Sequence, residues 1–140
     1  MGEERDYAGL SSSQQNIWNL EQAYPGLPLN NICTSLYIEG NFRVDLLQKC
    51  IELAYVAYPV LRTRITRKEG KILQYTAQEI PAPAPFIDFS RTNQSGVSVW
   101  NQSVAREHMI LYDSCHCQMT IFKLSEEQGG ILTRVHHIIA

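Results

Sequence analysis

The residues best suited to acid–base chemistry are His136 and His137, which stand side by side ahead of Ile138 in an apolar run. An imidazole titrates close to neutral pH and can therefore gain or lose a proton under physiological conditions. Because neighbouring side chains of a strand point to opposite faces, we expect one ring to enter a cavity while the other packs behind it. By spacing alone, a buried structural histidine is a more common outcome than a metal ligand or an acid–base group.

A second set of residues that could bind a metal is Cys115-His116-Cys117, with His108 nearby. Zinc ligands usually come in pairs two to four residues apart on a turn, whereas these cysteines enter a predicted strand. Small thiols also serve readily as core residues, so we predict no metal site. We expect His108 and His116 to be ordinary helix-end and strand residues. None of the four cysteines follows a disulfide framework, and we expect free thiols.

The serines from Ser11 to Ser13 could be nucleophiles, but no Gly-x-Ser-x-Gly segment surrounds them. Together with Gln14 they instead predict a helix start, because a serine cap and a glutamine three residues later satisfy free backbone donors. Trp18 and Trp100 recur with apolar partners at helical spacing, which favours core packing over stacking on a cofactor. No glycine-rich phosphate loop is present in the sequence, so ATP and nicotinamide cofactors are not expected.

The composition of the 140 residues is typical of a folded globular chain, with 44% hydrophobic and 19% charged residues. This length suits a single domain. The net charge of −2 offers no basic surface for nucleic acid, and no segment approaches the ~20 apolar residues of a membrane span. The polar start, Met1 to Asp6, lacks the apolar stretch of a secretory signal, so we expect a cytoplasmic protein.

Apolar periodicity and helix-breaking residues predict three helices among short strands. The helices are expected from the serines at 11–13 to Pro25, from Asp45 to Pro59, and over residues 94–108. The strands are predicted at 33–39, 60–66, 72–76, 86–89, 117–124 and 130–139, with an extended proline-rich connector at 81–85. This order predicts an α+β fold, a two-layer α/β sandwich with the helices on one face of a mixed β-sheet.

Five segments together resemble the amino-terminal half (N-lobe) of a nonribosomal peptide synthetase condensation domain, of the chloramphenicol-acetyltransferase-like superfamily. They follow in the family's order: the Ser-x-x-Gln helix from Ser11 to Leu20, Leu61-Arg62-Thr63, the Glu69-Gly70 hairpin with Gln74, Asp88-Phe89-Ser90, and His136-His137-Ile138-Ile139-Ala140. The last segment matches the first five positions of the motif His-His-x-x-x-Asp-Gly (HHxxxDG). We therefore expect residues 1–140 to be the N-terminal subdomain of a condensation domain, truncated inside this motif, with the C-terminal lobe absent.

The resemblance implies one lobe of a V-shaped pseudo-dimer whose active site lies in the cleft between the two lobes. It implies amide bond formation between two thioesters, which arrive on the 4′-phosphopantetheine arms of partner carrier protein domains. No cofactor would be bound covalently to this chain. The missing lobe and adjacent synthetase modules would be further partners, and the fragment alone is expected to be inactive. Because a missing lobe leaves apolar surface exposed, we also consider self-association.

The resemblance also assigns roles to the site residues. His137, the second histidine, is implied to be catalytic, as a general base, by orienting the amine, or by stabilising charge in the tetrahedral intermediate. His136 and Arg62 are implied to support the site, Arg62 by pairing with the aspartate of the motif. Because this chain does not contain that aspartate, we expect Arg62 to be solvent-paired or disordered and the final strand to be loosely held near Ala140.

Two alternatives stay open at this point. Epimerisation domains and free-standing acyltransferases of the superfamily share the histidine motif, whereas the heterocyclising relatives have aspartate in place of the first histidines. The alternative from another functional class is a non-catalytic module that only docks a carrier domain.

Overall fold

The computed structural model describes residues 5–92 and 94–140 of the chain. Its elements, in chain order, are β1 (Ala8–Gly9), α1 (Ser12–Ala23), β2 (Asn31–Glu39), α2 (Val44–Ala57), a 3₁₀ turn (Pro59–Arg62), β3 (Thr63–Lys68), β4 (Lys71–Thr76), β5 (Phe86–Asp88), α3 (Gln94–Arg106), β6 (Cys117–Ser125), β7 (Gln128–His136) and a second 3₁₀ turn (His137–Ile139). The prediction that the polar start contains no secretory signal falls in part on residues 1–4, which lie outside the described residues.

Helix α1 begins where the serine–glutamine spacing predicts. Ser11 is the N-cap, and its hydroxyl accepts a hydrogen bond from the Gln14 backbone N–H at 3.2 Å. In return, the Gln14 side chain accepts one from the Ser11 backbone N–H at 2.9 Å. This capping box satisfies two backbone donors that the first turn leaves free. The helix ends at Ala23, ahead of Pro25, so both predicted ends are confirmed.

The strand predicted from residue 60 begins later, at Thr63. Pro59 ends α2 as predicted, but it then opens a 3₁₀ turn, because proline has a helical φ and no N–H to offer a strand partner. Strands β3 and β4 form the predicted hairpin. Its turn residues Glu69 and Gly70 both have positive φ, 51° and 76°, as a tight two-residue connection requires.

The strands form two sheets. A three-stranded sheet has the order β1–β4–β3, and a four-stranded sheet has the order β2–β7–β6–β5. The larger sheet is mixed, because β5 runs parallel to β6 while the other pairs are antiparallel. Its strands approach so closely that a Cβ at Gly130 would overlap the carbonyl oxygen of Leu36. The α+β class is confirmed, with the strands divided between two sheets rather than gathered in one.

Helices cover both faces of the larger sheet, because β6 carries large apolar side chains on both of its faces. Ile121 packs with Ile51 and Tyr55 of α2 in one cluster. The side chain of Phe122 points to the opposite face of the sheet and packs with Val97 of α3 in a second cluster. The apolar stripe predicted for α3 is confirmed. Because α3 covers the face of the sheet opposite to α2, helices lie on two faces, whereas the sequence predicted them on one face. Among the described residues, no helix has the length and apolarity needed to cross a membrane.

Candidate active site

His137 opens a 3₁₀ turn and does not continue strand β7. The strand ends at His136, so the prediction that both histidines belong to one strand is wrong for His137. The reason is that His136 caps the turn: its ring accepts a hydrogen bond from the Ile138 backbone N–H at 3.2 Å. As expected, one ring is buried and the other is not: His136 is 2% exposed, and His137 is exposed.

A cavity of about 310 Å³ lies beside His137. Its polar lining includes hydroxyls from the first residues of α1 and from β3, together with the amide of Gln74 on β4. Among the residues that line the cavity, His137 is the one titratable side chain. The lining of the cavity is therefore polar without containing an ion pair.

The buried ring of His136 uses both of its nitrogens. Nε2 lies 3.2 Å from Glu21 Oε1, and Nδ1 accepts the Ile138 N–H. Because a backbone N–H can only donate, Nδ1 carries a lone pair and Nε2 carries the hydrogen that faces the carboxylate. Burial lowers the pKa of His136, and the neighbouring Glu21 carboxylate opposes this shift only in part. The imidazole is therefore neutral at neutral pH.

Glu21 is the residue of this region that the sequence analysis missed. It is 6% exposed, and Oε1 accepts a hydrogen bond from Asn30 Nδ2 at 2.6 Å. Oε2 lies 3.8 Å from His108 Nε2. One signal could have found Glu21: it follows Ile17 by four residues, on the same side of α1, where a buried carboxylate needs a partner. The identity of the partner could not be predicted, because His136 lies 115 residues away in the sequence.

Further hydrogen bonds hold the backbone of the second 3₁₀ turn. The His137 N–H donates to the Asn30 carbonyl at 2.8 Å, and the Ala140 N–H donates to the His137 carbonyl at 3.2 Å. The Gln14 amide donates to the Ile138 carbonyl at 3.1 Å. The expectation of a loosely held segment near Ala140 is therefore wrong, because helix α1 and the residues before β2 supply partners that no local pattern shows.

Arg62 is neither paired with solvent nor disordered, so this expectation is also wrong. Its Nε donates to the Tyr55 carbonyl at 3.0 Å, and Nη1 donates to the Ala77 carbonyl at 2.5 Å. The Tyr55 carbonyl is free to accept, because Pro59, four residues later, has no N–H to donate. The half-buried guanidinium joins the end of α2 to the residue after β4 and does not line the His137 cavity. In the part of the chain that the structure describes, Arg62 acts as a clamp on the scaffold.

The Cys115-His116-Cys117 segment leads into β6, with Cys115 half-buried and the side chains of His116 and Cys117 in the core. His116 is fully buried, and its Nε2 lies 2.7 Å from the Leu111 carbonyl oxygen. Burial, assisted by the nearby His136, lowers the pKa of His116 to about 4. The rings of His116 and His136 lie 5.6 Å apart, centre to centre. Across the residues that the structure describes, no three His, Cys, Asp or Glu side chains are arranged to hold a metal ion.

Comparison with known sequences gives one family. A sequence model described as Condensation domain matches residues 4–140. A linear gramicidin synthase of Brevibacillus parabrevis is 26% identical over 136 residues, which are 94% of this chain and 3% of the synthase. Bacitracin synthase 3 of Bacillus licheniformis is 23% identical over 138 residues, 99% of this chain and 2% of the synthase. The chain thus spans a few per cent of the length of these relatives.

Comparison with solved structures gives the same fold. The starter condensation domain of rhizomide synthetase RzmA superposes with a TM-score of 0.87 at 21% identity, over 95% of this chain and 33% of that one. The first condensation domain of the CDA synthetase superposes with a TM-score of 0.83 at 19% identity, over 97% of this chain and 36% of that one. The chain spans about a third of these proteins.

Proposed function

The chain belongs to the condensation domain family, and we propose that it supplies one lobe of a domain that forms a peptide bond between two carrier-bound substrates. In this reaction the amine of an aminoacyl thioester attacks the thioester carbonyl of an acyl or peptidyl donor. The new amide C–N bond forms, the donor C–S bond breaks, and the amine proton passes in net to the departing thiol. The observation that carries the proposal is the exposed imidazole of His137 beside a cavity whose lining has no other titratable side chain among the described residues.

We assign residues 1–140 to the N-terminal subdomain of such a domain. The support is the share of the superposed proteins that the chain spans, about a third in each case. The second lobe would then face the His137 cavity and form the opposite wall of the cleft. On this assignment the lobe described here is inactive by itself, because it holds the imidazole but only one side of the substrate channel.

We assign the catalytic role to His137 and the supporting role to His136. An exposed imidazole can take the proton of the attacking amine, and a well-placed general base contributes about 10²–10⁴-fold in rate. The same ring can instead orient the amine or stabilise the oxyanion. Holding two tethered reactants in one channel can contribute more than the base, through their high effective concentration.

The substrates would arrive on 4′-phosphopantetheine arms of carrier protein domains, so the partners are those carriers, the second lobe and the neighbouring synthetase modules. The gramicidin and bacitracin synthases, to which the chain is similar, support a role in antibiotic or other secondary-metabolite biosynthesis. A cytoplasmic location stays a prediction.

The test uses the intact condensation domain that contains this lobe, with donor and acceptor carrier proteins loaded with thioesters. Amide product on the acceptor carrier is measured by mass spectrometry for wild type, His137→Ala and the control Gln22→Ala, an exposed change on α1. We expect His137→Ala to lower kcat by about 10²–10⁴-fold and the control to match wild type.

Equal turnover of wild type and His137→Ala would refute the catalytic assignment. Inversion of a stereocentre without a new amide would place the chain in an epimerisation domain. Carrier binding with neither reaction, under conditions where both carriers are loaded, would instead make it a docking module.

A further inference from the structure

We propose that Glu21 is a positioning residue for His137, which it holds in place through two hydrogen-bonded arms that start at one carboxylate oxygen. The inference rests on the proposed function, in which His137 is the catalytic group. It concerns a side chain that lies on α1, far from the histidine motif in sequence.

The first arm runs through His136. Glu21 Oε1 lies 3.2 Å from Nε2 of the ring, and Nδ1 of the same ring accepts the Ile138 N–H at 3.2 Å. The carboxylate can only accept a hydrogen from Nε2, so it selects the tautomer whose Nδ1 is free to accept. Without that acceptor the ring could take the other tautomer, which presents a hydrogen to the Ile138 N–H.

The second arm runs through Asn30. Its Nδ2 donates to the same Glu21 Oε1 at 2.6 Å, and its carbonyl accepts the His137 N–H at 2.8 Å. The two arms therefore end on consecutive backbone N–H groups, those of His137 and Ile138. The His137 N–H belongs to the peptide unit before the His137 Cα and the Ile138 N–H to the unit after it, so the two hydrogen bonds hold the backbone on both sides of this Cα and thereby aim its side chain.

The three side chains that form the two arms are buried. Glu21 is 6% exposed, Asn30 7% and His136 2%, so water cannot readily replace a lost partner. A carboxylate on the buried side of α1 is also costly unless its oxygens are used. A further titratable neighbour is His108, whose Nε2 is 3.8 Å from the second carboxylate oxygen.

A small displacement of a catalytic group has a large effect on rate, since a shift of about 1 Å can cost about 10²-fold. Loss of the two arms should therefore lower kcat and leave the binding of the carrier-bound substrates nearly unchanged. A residue that merely contributed stability would lower the amount of folded enzyme without changing the kcat of the folded fraction.

The test compares two substitutions in the intact condensation domain. Glu21→Asp keeps the charge but withdraws the oxygen by one methylene, whereas Glu21→Gln keeps an oxygen at the same reach and removes the charge. The matched control is Gln22→Asn, which removes one methylene at the next, exposed position of α1. We measure kcat and KM for both loaded carriers. The fraction of folded enzyme is determined by thermal unfolding, so that kcat is expressed per folded molecule.

We expect Glu21→Asp to lower kcat by about 10–10²-fold, with each KM within about twofold of the wild-type value. The kcat of Glu21→Gln should be at least about tenfold higher than that of Glu21→Asp. The control should match wild type. The positioning role is overturned if neither substitution changes kcat, if Glu21→Gln loses as much as Glu21→Asp, or if the change lies in KM.

A second variant, Asn30→Ala, breaks the side-chain part of one arm and decides the matter if Glu21→Asp does not fold. We expect an intermediate fall in kcat, and an unchanged kcat would overturn the proposal. Failure of the proposed function is recognised separately: there His137→Ala itself turns over like wild type. If His137→Ala is inactive and the Glu21 variants are normal, only the positioning role is lost.

Discussion

Two groups of polar side chains in this lobe, called anchors here, both bind backbone groups but hold different parts of the fold. The first joins Glu21, Asn30 and His136 and ends on the backbone N–H groups of the turn that carries His137. The second is Arg62, whose guanidinium donates to the backbone carbonyls of Tyr55 and Ala77. Both anchors bind main chain, but only the first reaches the turn at the cavity.

The chemical groups of the two anchors explain how they should respond to change. The first contains a buried imidazole, and because burial lowers the pKa of His136, its protonation in acid works against the folded state. The second consists of a guanidinium bound to carbonyl oxygens and contains no histidine. Acid should therefore weaken the first anchor and leave the second intact, while removal of Arg62 should do the reverse.

Acid should give the largest effect on stability, through the buried imidazole next to the first anchor. The pKa of His116 falls from its ordinary value of 6.5 to about 4 in the folded protein, mainly because of burial. The unfolded chain therefore binds a proton before the folded one does. The contribution of His116 to the stability of the folded protein is complete above about pH 6.5. About 3 kcal/mol of it is lost as the pH falls towards 4. The lowered pKa of His136 acts in the same direction.

Urea unfolding of the condensation domain at pH values from 7 to 4 measures this loss. The variant His116→Leu should be less stable at pH 7 but should show a shallower dependence on pH, because one titrating group is gone. An identical pH slope in His116→Leu and wild type would contradict the role of this imidazole.

Removal of Arg62 should have a smaller effect, confined to stability. Arg62→Met keeps an apolar stem but loses the hydrogen bonds to the carbonyls of Tyr55, Ala77 and Gln78, so we expect a loss of about 2 kcal/mol in the free energy of unfolding. Arg91→Met, at an exposed position after β5, is the control and should change stability little. The kcat of the folded Arg62→Met enzyme should stay within about threefold of wild type. A fall in kcat as large as that of a Glu21 variant would remove the contrast between the two anchors.

The smallest effect should come from the start of α1, the helix that carries Glu21. Ser11→Ala removes the hydroxyl that accepts the Gln14 N–H and should destabilise by about 1 kcal/mol. Ser12→Ala, one residue later and exposed, makes the same atomic change without losing a cap. Equal unfolding free energies of the two variants, measured by urea titration, would show that the cap does not hold the helix.

Local patterns predicted much of the fold, because the forces that form single elements act between residues close in sequence. The capping box at Ser11, the turn at Gly70, the end of α2 at Pro59 and the stripe of α3 with Val97 all follow from spacing and residue type. The histidine motif likewise pointed to the segment beside the cavity. Strand ends were predicted less well. The 3₁₀ turn at residues 59–62 follows from Pro59, and the one at residues 137–139 is held by the His136 ring together with partners on α1 and before β2.

By itself, then, the sequence determined the class of the fold, its family and the exposed imidazole at its candidate site. The tertiary structure alone decided which groups hold that imidazole. Glu21 and His136 meet across 115 positions of chain, and the partners of Arg62 are carbonyls that every residue possesses. A backbone acceptor carries no signature in residue type, and a buried carboxylate shows its partner only when the chain has folded around it.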